Sequence, residues 1–322
     1  VMVNIREVAA EAGVSIATVS NALKGTGRVS DGTRDRVRRV AQGMGYEQAS
    51  RHVLGLAVTT FGDRSWNFAG VEYFAQSINT ATAAAHARGY ALTVLPSSLG
   101  AASWRSLPVD GVLLIDSPQD DPVVRTLRGR GLPLAFDGRP DEVRPGEAWV
   151  DNDHAAASRS MLDHLAAQGA RRVALVAGRG RDHYNRAWIA DYRAWCASQG
   201  RPELLVSAAR PDAAEALLGL AEPPDAIYTT YDWGLELLAL ARGRGLRVPE
   251  DLMLACVSED PRYAATDPPV TTLSLLPETS VALAVDALVD LVECVPVAPQ
   301  PPVPTRLAIR KSTLRISSLI NS

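Results

Sequence analysis

The stretch Ser15 to Leu23, SIATVSNAL, carries side chains that suit the edge of a base pair better than a protein interior. Asn21 offers a paired amide donor and acceptor, which matches adenine or a phosphate. Ile16 and Ala17 offer methyl surface of the kind that meets a thymine methyl group. If the stretch is helical, Val19 and Leu23 share the inward face, and Ile16, Ala17, Ser20 and Asn21 cannot all be buried with them. The chemistry is recognition rather than bond making. No GxSxG, HExxH or P-loop sequence is present, and the loop aspartates read as helix caps or ligand acceptors, so no catalytic residue is expected. Cys196, Cys256 and Cys294 lie in apolar contexts without a CxxC or nearby His and read as buried thiols. His154, His164 and His183 lack closed-site spacing and read as surface or cleft-rim residues, so no metal or cofactor is expected.

A compact three-helix head is needed to present that stretch. Asn4 stands three residues before Glu7, a capping-box spacing that starts a helix at Ile5. Ile5, Val8, Ala9 and Ala12 then share a face, and Gly13 ends the helix. Val14 enters the core and Ser15 caps the second helix. So short a connection forces the two helices to cross steeply, as in a helix-turn-helix. A third helix follows Ser30 and runs to about Met44, with Val37, Val40, Ala41 and Met44 inward and Arg34, Arg38 and Arg39 outward. Residues 1–52 hold eight Lys and Arg against five Asp and Glu, a net charge of +3 in a chain of −3, so this end is the one expected to approach phosphate. The expected DNA-facing set is Ile16, Ala17 and Asn21 on base edges, with Asn4, Ser15, Thr18, Ser20, Arg28, Ser30 and Thr33 at or near the backbone.

Behind the head, strand-like runs at 53–59, 90–95, 111–115, 133–136, 172–177, 226–229 and 252–257 alternate with amphipathic stretches at 72–88, 154–168, 186–199 and 232–243. This is the rhythm of parallel sheets covered by helices on both faces. It restarts after Val150, which predicts two similar lobes with a ligand cleft between them, beyond the carboxyl ends of the strands. A 47% hydrophobic and 21% charged composition is that of an ordinary globular chain. With no long apolar run and no signal peptide before the head, no membrane partner and a cytoplasmic, nucleoid-associated location are expected.

GVSIATVSNALKGTGRVSDGTRDRVRRVAQGMGY resembles the headpiece of the lactose-repressor and galactose-repressor (LacI/GalR) family. The likeness continues through VDGVLLIDS at 109–117, QGARRVALVAG at 168–178, GLRVPEDL before Met253, and DPPVTTLS at 267–274. The resemblance implies an all-α helix-turn-helix headpiece followed by a two-lobed α/β body like that of periplasmic binding proteins. Its implied divisions are a DNA-binding domain at 1–46 and a linker at 47–52. A first lobe would span 53–149 plus 280–303, and a second 150–279 plus 304–322. It further implies a homodimeric repressor on a palindromic double-stranded DNA operator, with affinity set by a small molecule in the cleft, and helix 279–292 near the dimer interface.

Sugar-binding members of the family commonly use an Arg in RxxGF or RxxGW, an Asn in an ND pair, and an Asp after the VPEDxxVxGxD strand. A further Asp follows the PVVxxD strand. Here Asp137 is kept and Asp232 matches the second residue of the ND pair, but Trp188, Tyr231 and Ser258 occupy the other three positions. Tyr73 and Phe74 match an aromatic pair of the family, and Trp66, Phe68, Tyr184 and Trp233 lie in loops that could border the same opening. Flat faces in place of a bidentate Arg favour an aromatic or apolar effector. A sugar held in an unusual way, a regulator whose cleft is plugged by its own side chains, and a small-molecule binder without regulatory DNA binding are the alternatives. Only eight residues separate Tyr46 from Gly55, about half the family's usual length and without an ARxL motif. The hinge helix is either lost from this regulator or interrupted in the sequence, and the short reach favours the second reading.

Overall fold

Gly13 stops the first helix by adopting φ +63°, a left-handed conformation open to glycine, and the chain turns straight into the next helix. The structure, a computed structural model, describes residues 5–24, 29–44, 52–60, 67–96, 99, 101–207 and 214–315. Asn4, Arg28, Trp66 and nearly all of the expected linker lie outside the described residues. Helix α1 (Ile5–Ala12) is followed by α2 (Ile16–Lys24), where Ser15 Oγ accepts the Thr18 amide at 3.0 Å, and by α3 (Asp31–Gly43), where Ser30 Oγ accepts the Thr33 amide at 3.4 Å. Val8, Ala9, Ala12, Val19, Ala22, Val37 and Ala41 form a closed core, with Val14, Leu23, Val40 and Met44 packed at its margin.

The body is built from two sheets. The first, in order β2-β1-β3-β4-β5, holds β1 (Val53–Val58), β2 (Ala91–Leu95), β3 (Gly111–Ile115), β4 (Leu134–Asp137) and β5 (Glu147–Val150). Helices α4 (Glu72–Ala87), α5 (Ala101–Trp104) and α6 (Pro122–Gly129) belong to its βα units. The second, in order β11-β10-β9-β8-β6-β7, holds β6 (Val173–Ala177), β7 (Leu204–Ser207), β8 (Ala226–Thr229), β9 (Met253–Val257), β10 (Thr271–Ser274) and β11 (Arg306–Ala308). Its helices are α7 (His154–Ala167), α8 (His183–Gln199), α9 (Ala214–Leu218) and α10 (Gly234–Gly243). Every residue of β3, β6 and β9 is buried, as parallel strands covered on both faces require. Strand β11 runs antiparallel to β10.

The chain crosses between the sheets three times. It leaves the first sheet after β5 and returns after β10 as α11 (Pro277–Val292), which packs on β3, β4, β5 and α4; it then crosses again to supply β11. One side chain ties the crossings together: the Asn152 amide donates to the carbonyls of Leu275 at 2.9 Å and Val303 at 3.2 Å.

Four strands fall outside the runs expected from the sequence: β5, β7, β10 and the three-residue β11. β5 and β7 are four-residue strands at sheet edges, β7 having no fully buried residue, and β10 reads TTLS, too polar to stand out as a run. α8 begins at His183 rather than 186 because the Asp182 carboxylate caps it through the Asn185 amide at 2.9 Å. Two other expectations are corrected. Cys294 is exposed just past α11, where the apolar face has ended, whereas Cys196 and Cys256 are buried. His154 is buried rather than superficial, because it pairs with Asp151 at 2.9 Å. No helix among the described residues is long and apolar enough to cross a membrane.

Replacing Val19, fully buried in so small a core, with Asp should unfold the head, since a buried carboxylate there has no partner. Calorimetry on Val19→Asp should show loss of the head's contribution and of operator binding, with the body's unfolding transition unmoved.

Candidate functional site

In the head, α2 turns two side chains to solvent and keeps three at its flank. Ile16 is 46% exposed, although isoleucine ranks among the most frequently buried residues, and Ala17 is exposed beside it. Thr18, Ser20 and Asn21 are half-buried, while Val19 and Ala22 anchor the opposite face. Ser15 and Ser30 are committed to their caps, and their hydroxyls also meet Thr18 Oγ1 at 2.8 Å and Thr33 Oγ1 at 2.9 Å. On α3, Arg36, Arg38 and Arg39 are exposed.

In the body, the carboxyl ends of both sheets open into one cavity of about 290 Å³. From the first sheet come Thr60 beyond β1 and Asp116 beyond β3, with Val71, Tyr73 and Phe74 at the start of α4. From the second come Gly178, Tyr184, Asn185, Thr230–Trp233, Val257–Glu259 and Leu275. Aromatic rings make the walls. Tyr231 and Trp233 are stacked, with centroids 5.1 Å apart and planes 19° apart, and Tyr184 meets Tyr231 edge-on at 6.4 Å. On the other side Tyr73 and Phe74 sit edge to face at 5.2 Å. Tyr231 can lie where it does because position 178 is glycine: a Cβ there would fall 2.1 Å from its ring. The Asn185 amide fixes the phenol by donating to Tyr231 Oη at 3.0 Å.

Of the residues expected from the sequence, Tyr73, Phe74, Tyr231, Asp232 and Ser258 line the cavity together, as do the bordering Tyr184 and Trp233. Two stand behind it. Trp188 is fully buried in the second lobe among Tyr184, Tyr228 and His154, so its faces are spent on packing. Asp137 is 3% exposed and accepts the Tyr73 hydroxyl at 2.8 Å, so it orients a wall residue. Phe68 is buried against Phe74. Sequence reasoning missed Asp116, Asn185, Glu259, Thr60 and Thr230. Their one available signal is position, directly after an apolar strand or in the first turn of a helix.

Carboxyl groups crowd the cavity floor. Burial, followed by the like charges of Asp182, Asp137 and Asp151, holds the Asp116 carboxyl well above the ordinary range. Burial pushes Asp137 up to about 6, opposed in part by the Tyr73 hydrogen bond, and burial also raises Asp182. Asp151 goes the other way. Burial alone would raise it, but His154 and the amides of Arg139 and Asn152 outweigh that cost. Among the described residues no cluster of His, Cys, Asp or Glu is arranged to hold a metal ion.

A family model for bacterial regulatory proteins of the lacI family matches residues 4–48, and one for a periplasmic binding protein-like domain matches residues 162–313. The HTH-type transcriptional regulator CelR of Thermobifida fusca is 28% identical over 289 residues, spanning 83% of this chain and 85% of that one. The HTH-type transcriptional repressor CytR of Escherichia coli is 26% identical over 298 residues, 84% of each chain. Among solved structures, a CelR–cellobiose complex superposes with a TM-score of 0.71 at 26% identity, covering 96% of this chain and 99% of that one. A lac repressor dimer bound to operator and an anti-inducer superposes at 0.68 and 20% identity over 98% and 100% of the two chains, which shows a shared fold.

The Asp137 value sets a pH test. A folded-state value above the unfolded one favours the neutral acid in the fold, so the group costs least at low pH and most above about 6. Asp137→Asn, which keeps an acceptor for Tyr73, should gain stability over the parent as pH rises from about 4.5 to about 7.5, approaching ~3 kcal/mol. Denaturant melts across that range check it; a constant difference would contradict the assignment.

Proposed function

Because the chain belongs to the LacI/GalR family of sequence-specific DNA-binding transcriptional regulators, we propose that it works as a homodimeric repressor on a palindromic operator, its affinity set by a flat, largely apolar small molecule in the cleft. The observation that carries the effector class is the aromatic cavity itself, with stacked Tyr231 and Trp233 facing a lining that also holds Tyr73 and Phe74. A space of about 290 Å³ weighs against a plugged cleft. The position where the resemblance places a sugar-gripping Arg holds the buried Trp188. The complex of the related CelR with cellobiose keeps a disaccharide in view as the second reading, and Asp232, Ser258 and Asn185 are the polar groups it would use.

The proposed DNA contacts are Ile16, Ala17 and Asn21 on base edges, with Thr18, Ser20 and Thr33 toward the backbone and Ser15 and Ser30 holding the helix starts. Asn4 and Arg28 complete the set by sequence position alone. A single helix reads only a few base pairs, and two related by a twofold axis, about one DNA turn apart, read a palindrome. An effector alters DNA affinity only to the extent that it favours one lobe arrangement over another. The crossings tied by Asn152 are the proposed pivot, with 53–149 plus 280–303 and 150–279 plus 304–322 as the moving lobes.

Two outcomes follow. Exchanging Ala17 should shift base preference at one operator position by about 1–3 kcal/mol while leaving the fold intact, read by selection against a duplex library. In anisotropy titrations of the intact protein, an aromatic effector should change operator affinity about 5- to 150-fold, and Tyr231→Ala should abolish that response. A cellobiose response untouched by Tyr231→Ala would overturn the aromatic reading, and equal affinity for operator and random duplex would overturn the specific repressor.

A further inference from the structure

The charge in the cleft is one-sided. Asp116, Asp232 and Glu259 all line it, and among the described residues no Lys, Arg or His does. Two of the three carboxylates are already occupied. Glu259 accepts the Ser274 hydroxyl at 2.6 Å and the Leu275 amide at 2.7 Å, and Asp232 accepts the hydroxyls of Ser258 at 2.9 Å and Tyr263. Asp116 accepts no hydrogen bond from a described residue. It stands just past β3 at φ +49°, half-buried, and the charges that act on it, Asp182, Asp137 and Asp151, are all of its own sign. Two further lining residues, Thr60 and Thr230, are buried, at 7% and 3% exposure, and their hydroxyls have no hydrogen-bond partner among the described residues.

A partly buried carboxylate without a counter-charge is costly, and that cost is recovered when a cation enters. The walls favour the same visitor, since the faces of stacked Tyr231 and Trp233 attract a cation and its hydrocarbon frame together. We infer that the effector is a cationic amine carried on an aromatic framework, its ammonium group received by Asp116 and its ring by the Tyr231–Trp233 wall. The ammonium supplies donors for Asp116, and it balances a site that would repel an anion. This inference rests on the cleft being the effector site.

Calorimetric titration of the intact protein with matched probes tests it. Phenethylamine and tryptamine should each bind at least about tenfold more tightly than their neutral counterparts 2-phenylethanol and tryptophol, with 3-phenylpropanoate weakest. In Asp116→Asn the amine-to-alcohol ratio should fall below about twofold. Asparagine tolerates the positive φ, and removing a charge repelled by its neighbours should leave the melting temperature at or above that of the parent. A lower melting temperature would mean that the chain already supplies Asp116 with a cation, and would overturn the inference. Equal binding of amine and alcohol, or a preference that survives in Asp116→Asn, would overturn it while leaving the aromatic cleft standing. Cellobiose binding with every aromatic probe silent would overturn both readings.

Discussion

Asp116 stands where a parallel sheet turns its strand ends toward open space, with carboxyl groups of both lobes around it and no described cation beside it. Its position follows from β3, whose five buried residues VLLI and the preceding glycine fix the strand in the sheet centre and deliver the next side chain to the cleft. Repulsion from Asp137 and Asp151 acts within the first lobe and at the crossing, whereas repulsion from Asp182 acts across the cleft. Charge on this group therefore bears on how closely the lobes approach as well as on what enters between them.

The remaining architecture serves that opening. Two sheets with the same βα construction place their carboxyl ends face to face, and the segments that follow those strands supply the aromatic walls, Tyr73, Phe74 and Tyr184 from first helical turns and Tyr231 and Trp233 from the connection between β8 and α10. Asn152, bonded to two other crossing segments, ties the three passages together at the proposed pivot. Behind the walls, Trp188, Tyr192, Tyr228 and Trp195 pack together in the buried core of the second lobe. In the proposed mechanism, one lobe turning on that pivot is what lets a ligand of modest size bias a two-state arrangement.

Much of this was legible in the chain. The head could be read because Ser15 and Ser30 sit at helix starts, Gly13 at a helix stop, and Val8, Val19 and Val37 at core spacing, all local signals. The body's rhythm was readable for the same reason wherever strands were long and apolar. Edge strands β5 and β7 escaped because half-exposed four-residue segments carry little pattern. Within the cleft, resemblance brought out Tyr231, Asp232 and Ser258, which do line it, together with Trp188, which does not, because a large aromatic ring in the position of an Arg was taken up by the core. Asp116 was passed over for a physical reason: one polar residue after an apolar strand looks like any strand end, and its left-handed backbone and unpaired carboxyl exist only in the folded chain.

Carbon-13 NMR titration of the Asp116 carboxyl, free and with saturating phenethylamine, addresses the unbalanced charge most directly. The account predicts a free carboxyl that titrates well above the ordinary aspartate range and a bound one that falls below its free value, with the proton released as the ammonium arrives. An ordinary, unchanged titration in both states would contradict it.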